Sequence, residues 1–212
     1  MNTNLNSELT IGMIGCGKLG FPIAKNLISK NIKIFGTTTQ SKQAEILKKY
    51  GISTFIYCAP KNLPSQILKT DKLLITLPFK KQFKDPLIYK YQILGICNQV
   101  ENTTIKHIVF TSSSSIYPKD GKMYKPTDSF PINNARSKVL IECEELIQSI
   151  QNTTCTIIRL GGLVGEGRAV PPSAKYRRLC MQIDAINKII NSLLYDNTNQ
   201  CINLYKIANP TL

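Results

Sequence analysis

Short apolar runs alternate with longer stretches of helical spacing along the whole of this 212-residue chain. The runs at 9–14, 32–36, 53–57, 72–77, 106–111, 154–160 and 201–205 are rich in Ile, Leu and Val, are bounded by polar turns, and predict strands. The stretches at 18–30, 41–50, 85–101, 135–150 and 181–195 predict helices. Strands that are apolar without a break belong to a sheet covered on both faces, and strand–helix alternation builds right-handed βαβ units. The expected fold is therefore a single doubly wound α/β domain over residues 9–212, with six or seven mainly parallel strands and a polar tail at 1–8. Gly51 is placed to end the second helix. The segments 112–134 and 161–178 are rich in Ser, Pro and Gly and predict irregular structure. Both follow strands at their carboxyl ends, where sheets of this kind bind ligands.

The first strand leads directly into Gly15, Cys16, Gly17, Lys18, Leu19 and Gly20, and then into a helical stretch. That order is the strand, glycine turn and helix start of a dinucleotide-binding unit. Gly15 permits the tight turn, Gly17 admits a pyrophosphate to the backbone, and Gly20 lets the helix pack closely. The second strand ends in Gly36, Thr37, Thr38 and Thr39, with Lys42 shortly after and no acidic residue to hold a ribose 2′-hydroxyl. Hydroxyls and a lysine there suit a 2′-phosphate, so NADP is expected over NAD. The same residues also read as the capped start of a helix.

Composition narrows the field. The formal net charge is +14, yet the lysines are spread along the chain, and the densest group (Lys80, Lys81 and Lys84, with Phe79 and Phe83) falls in a loop after a strand. Attraction of anionic cofactors or substrates is expected rather than nucleic-acid binding. The seven cysteines are odd in number and stand singly, and the one histidine, His107, is expected at a strand end near the surface, so neither a disulfide framework nor a zinc cluster is implied. Cys16 reads as a small residue tolerated in the loop. No apolar run is long enough to cross a bilayer, the first eight residues lack a leader pattern, and a cytoplasmic protein is expected.

Three later segments add to the glycine turn: Thr76–Leu77–Pro78 after the fourth strand, Phe110–Thr111–Ser112–Ser113–Ser114–Ser115–Ile116–Tyr117–Pro118 after the fifth, and Arg159–Leu160–Gly161–Gly162–Leu163–Val164–Gly165–Glu166–Gly167–Arg168 from the sixth. Together they resemble the epimerase/dehydratase-like branch of the short-chain dehydrogenase/reductase superfamily, with most similarity to its atypical YeeZ-like members. The resemblance runs through residues 9–212 with gaps. It implies a Rossmann domain that binds NAD(P), with Gly15, Cys16, Gly17, Lys18, Leu19, Gly20, Thr37, Thr38, Lys42, Thr76, Leu77 and Pro78 around the cofactor. It also implies a sugar-nucleotide-like or small carbonyl substrate, and pairing of copies through helices such as 85–101 and 135–150.

Active members of that branch use a serine after the fifth strand and a Tyr-x-x-x-Lys pair on the next helix, the lysine cation stabilising a phenolate for acid/base work. Ser113 matches the serine and Lys138 the lysine, but Asn134 stands at the tyrosine position, and an amide does not exchange a proton in this range. Tyr117 and Tyr124 lie in the preceding loop without supportive spacing. The chain is also shorter after Arg168 than the family pattern, so the resemblance implies a reduced substrate-binding portion. Two function classes follow: an NAD(P)-dependent oxidoreductase or epimerase-like enzyme, and a non-catalytic nucleotide-sensing or protein-interaction module. The opening Ile11–Gly12–Met13–Ile14–Gly15 and its helix are also similar to 3-hydroxyacid and 6-phosphogluconate dehydrogenases, which ranks second among the enzyme readings.

Overall fold

The computed structural model describes residues 9–80, 83–132, 134–165 and 177–208. Positions 1–8, Lys81, 166–168, Pro171, Pro172 and 209–212, read above from sequence, lie outside them.

Seven strands form one parallel sheet in the order β3-β2-β1-β4-β5-β6-β9. They are β1 (Thr10–Ile14), β2 (Lys33–Thr38), β3 (Ser53–Ile56), β4 (Lys72–Ile75), β5 (His107–Ser113), β6 (Thr154–Leu160) and β9 (Gln200–Leu204). The helices are α1 (Gly20–Ile28), α2 (Ser41–Lys49), α3 (Ser65–Leu68), α4 (Leu87–Val100), α5 (Ala135–Gln148) and α6 (Gln182–Tyr195). The doubly wound α/β architecture is the one the strand–helix alternation predicts, with all seven expected strands and all five expected helices present.

Strand side chains alternate between two cores, as the pleat requires. Leu73 and Ile75 of β4, Ile108 and Phe110 of β5 and Ile157 of β6 pack beneath α4 and α5 with Tyr89, Ile93 and Leu140. Leu74, Val109 and Ile158, one residue out of phase, pack beneath α1 and α6 with Ile23, Leu27, Ile186 and Ile189. Both faces are covered, which is why the strands carry no polar alternation. Gly51 follows α2 with φ +81°, the left-handed turn that glycine makes without strain.

Several boundaries differ from the sequence expectation. α1 begins at Gly20, not residue 18, because the glycine turn occupies 16–19. β4 ends at Ile75, two residues early, since Thr76 turns its hydroxyl onto the Gly15 carbonyl. The short α3 breaks no strong periodicity and was not expected. Segments expected to be irregular hold a 3-10 turn at Ser114–Ile116 and a short strand, β7 (Gly162–Val164), and a second short strand, β8 (Arg178–Met181), runs from the last residue of the latter segment to the first residue of the helix expected at 181–195. These join β10 (Lys206–Ile207) in a second, three-stranded sheet in the order β10-β8-β7.

His107 is at a strand end as expected but is fully buried rather than near the surface. Its ring nitrogens reach Thr154 Oγ1 at 2.8 Å and Thr156 Oγ1 at 3.2 Å. Burial, reinforced by the Lys72 cation, depresses its pKa from 6.5 to about 4. Between those values the unfolded chain binds a proton that the folded chain refuses, so stability rises with pH across this window and is complete above it. Acidification from pH 7 to 4 is expected to remove on the order of 3 kcal/mol through this group. Urea denaturation of His107→Gln is expected to show a correspondingly flatter pH profile; an unchanged profile would mean the ring titrates normally.

Candidate functional site

The glycine turn is built from three strands at once. Gly15 has φ +104°, which an L side chain rarely adopts, and its N–H donates to Thr37 Oγ1 at 3.1 Å. The Cys16 N–H donates to the Thr37 carbonyl at 2.8 Å, and Thr76 Oγ1 donates to the Gly15 carbonyl at 2.6 Å. The end of β2 and the exit of β4 thus hold the loop leaving β1. A methyl group at Gly20 would lie 2.3 Å from the Gly15 carbonyl oxygen, so only glycine lets α1 start here. A methyl at Gly17, by contrast, would meet nothing within 4 Å among the described residues.

The backbone N–H groups of Gly17, Lys18 and Leu19 have no backbone acceptor among the described residues. Leu19, at the cap position of α1, supplies no side-chain bond, and no acidic residue lies in the first turn. An uncapped helix start with free donors and a cleared approach fits the pyrophosphate of a dinucleotide, which such a terminus attracts electrostatically. The residues present therefore fit the nicotinamide dinucleotide that the glycine spacing implies.

Three expected cofactor residues sit differently from the sequence reading. Cys16 is fully buried with its side chain beneath β2, where a methyl at Gly36 would come within 2.6 Å of its sulfur, and its N–H is spent on Thr37. Burial pushes its thiol up to about 12, so it is packing material and inert. Thr37 is buried at 1% exposure, and its oxygens accept from the loop rather than face a 2′-phosphate. Leu77 packs against the core, with its carbonyl accepting from the Tyr89 hydroxyl at 3.0 Å. Thr38, which accepts from the Gln40 N–H, and Lys42, in the first turn of α2, remain on the accessible side of the β2 end. Pro78 continues the loop leaving β4.

At the end of β5, Ser113 caps the 3-10 turn, accepting from the Ser115 N–H and donating to the Ser115 hydroxyl at 2.9 Å. Asn134 caps α5, its side-chain oxygen accepting from the Ser137 N–H at 2.8 Å. The tyrosine position of the family pattern is thus a helix cap. Lys138, one turn into α5, is exposed. Ser137 Oγ donates to the Ser115 carbonyl at 3.1 Å, which ties the start of α5 to the Ser113 turn.

A buried polar network that sequence reading missed lies beside these residues. Arg159 of β6 pairs with Glu144 of α5 at 2.7 Å, and Ser112 also donates to Glu144. Another guanidinium nitrogen of Arg159 donates to the Tyr117 hydroxyl at 2.7 Å, and that hydroxyl donates to Asn203 Oδ1 at 2.9 Å. Tyr117 is buried, stacks on Tyr124 at 4.9 Å, and its phenol is raised by burial. The Tyr124 hydroxyl donates to Asp120 at 2.6 Å. Both tyrosines of the loop before α5 are therefore committed to structure. The available signal was an arginine inside the apolar run of β6, which needs a buried partner.

A family model described as the NAD binding domain of 6-phosphogluconate dehydrogenase matches residues 10–124. The reading ranked second on the opening helix is thus the one that this description names, over β1 to β5. Protein YeeZ of Escherichia coli K12 is 28% identical over 166 residues, 74% of this chain and 60% of its own length, so the match spans less than two thirds of that relative. Among solved structures, the UDP-N-acetylglucosamine 4-epimerase from Bacillus cereus superposes with a TM-score of 0.75 at 14% identity, covering 94% of this chain and 78% of its own. The Bordetella bronchiseptica enzyme WbmG in complex with NAD gives a TM-score of 0.75 at 13% identity, covering 96% and 74%. These two share the fold with this chain.

Removing one partner of the Glu144–Arg159 pair strands a buried charge. Glu144→Gln is expected to cost about 3–5 kcal/mol, read as a lowered urea midpoint, whereas a surface control such as Glu145→Gln is expected to change little.

Proposed function

We propose that this chain, which belongs to the family of NAD-binding domains named for 6-phosphogluconate dehydrogenase, is an atypical, YeeZ-like short-chain dehydrogenase/reductase that binds NADP in preference to NAD. The observation that carries the dinucleotide reading is the turn at Gly15, Gly17 and Gly20, clasped by Thr37 and Thr76 and open at Gly17. The N–H groups of Gly17, Lys18, Leu19 and Gly20 would hold the pyrophosphate. The preference for NADP is supported by the missing acid at the β2 end and by Thr38 and Lys42 there, with Thr37 holding the loop instead of the ligand. Thr76 and Pro78 would line the nicotinamide side, with Leu77 holding their loop to the core.

Bound there, the nicotinamide supplies hydride exchange with a small carbonyl or sugar-nucleotide-like substrate. Ser113, at the carboxyl end of β5, would orient the reacting oxygen with its hydroxyl. Lys138 would hold the cofactor ribose, its exposed ammonium being free to move. With Asn134 spent as a cap and Tyr117 in the Arg159 network, proton transfer would fall to water admitted at this edge. Exposed Leu87, Ile88 and Tyr91 on α4 support pairing of two copies.

The Asn134 cap also favours a second reading, a nucleotide-sensing or interaction module that binds cofactor without turning it over.

Calorimetric titration with NADPH and with NADH tests the first claim. Micromolar binding with NADPH favoured is expected, and Lys42→Ala is expected to narrow the gap by about tenfold, the size of one charge-assisted contact; equal affinities would remove the NADP assignment. Loss of reduced-nicotinamide fluorescence with a panel of carbonyl compounds separates the two readings. Turnover that Ser113→Ala abolishes marks the enzyme, and tight binding without turnover marks the sensing module.

A further inference from the structure

Arg136 is the second residue of α5, and its guanidinium carbon lies 3.7 Å from the centre of the Phe79 ring. Phe79 in turn stacks on Tyr89, with ring centres 4.5 Å apart and planes at 8°. One guanidinium N–H also donates to the Phe79 carbonyl. The planar cation is thereby clamped onto the loop that leaves β4 after Pro78. On its other flank, Ser137 holds the turn that follows Ser113. Arg136 thus stands where the carboxyl ends of β4 and β5 meet, on the side where the Proposed function puts the substrate.

Its charge is the unusual feature. Arg159 faces Glu144 at 2.7 Å and Arg178 faces Asp120 at 3.6 Å. Arg136 makes no ion pair among the described residues. Its guanidinium is partly buried, and burial lowers its pKa with only the Tyr89 phenol opposing. A partly desolvated cation without a countercharge is costly unless an anion supplies one. A guanidinium has five N–H donors, and the Phe79 carbonyl takes one of them. The clamp also fixes the plane of the fork, which lowers the entropy lost when an anion binds.

We infer that Arg136 anchors an anionic group of the substrate, a carboxylate or a phosphate, at the mouth between the β4 loop and the start of α5. This rests on the reading of that edge as the substrate side. It narrows the substrate from any small carbonyl compound to one that carries a negative charge. The planar fork can grip two oxygens of either group at once, which a lysine cannot do. Lys138, exposed on the next turn, adds field without geometry.

The full-length chain is titrated calorimetrically with sodium malonate and with inorganic phosphate, alone and saturated with NADPH, against sodium chloride of equal ionic strength. Saturation fills the glycine turn, so phosphate bound there is not counted. At least one anion is expected to bind beyond the chloride control, malonate marking a carboxylate substrate and phosphate a phosphorylated one. Arg136→Gln is expected to weaken that binding about tenfold or more with the melting temperature little changed, and Arg136→Lys to restore only part of it. Neither anion binding beyond chloride overturns the inference on the parent chain alone, and so does an Arg136→Lys protein that binds as well as the parent. Absence of NADPH binding would instead strike the dinucleotide reading, and the anion titration of the chain alone still decides the anchor.

Discussion

The approach of Gly20 to the Gly15 carbonyl oxygen, too close for any side chain, is the constraint on which this molecule turns. It lets α1 begin directly above the end of β1. Thr37 from β2 and Thr76 just past β4 then complete the hydrogen bonding of a loop that would otherwise leave buried polar groups unpaired. Three adjacent strands are registered by one turn. The donors left over, at Gly17, Lys18 and Leu19, lie at the positive end of a helix, on residues that are exposed or half-exposed. The interactions that make the fold at this point are those that leave it able to hold an anion, so stability and binding share one piece of geometry.

A second constraint acts on the other half of the sheet. Arg159 and Glu144 tie α5 to β6, and through Tyr117 and Asn203 they pull the irregular segment after β5 down over the strand ends. Arg178 extends the same grip from the small sheet, donating to the carbonyls of Pro118 at 2.9 Å and Lys122 at 2.8 Å. The loop that carries Tyr117 and Tyr124 is therefore a packed wall, and its phenols are structural. On the proposed reading, chemistry at this edge would rest on groups outside that wall: Ser113, Lys138 and Arg136.

How much was legible follows from which forces are local. The central strands could be read because burial on both faces leaves an unbroken apolar run, as in Leu73, Leu74 and Ile75 of β4. The glycine turn could be read because its steric demands fall on consecutive residues. The role of Thr37 could not, since its partners are Gly15 and Cys16 and nothing near it in sequence shows that β2 lies beside that loop. His107 misled for the same reason: its shelter comes from Thr154 and Thr156 on the neighbouring strand. β7, β8 and β10 escaped because strands this short carry no periodicity. Asn134 was recognised as the departure from the catalytic pattern, but its work as a cap is visible only where α5 starts.

The central claim is that the turn at Gly17 is kept clear for a pyrophosphate, and Gly17→Val tests it most directly because no atom of the described residues lies where a methyl there would sit. The variant should melt with the parent protein yet lose calorimetric binding of NADPH by two orders of magnitude or so, since the side chain occupies ligand space alone. A variant that melts normally and binds NADPH as tightly as the parent would contradict the account.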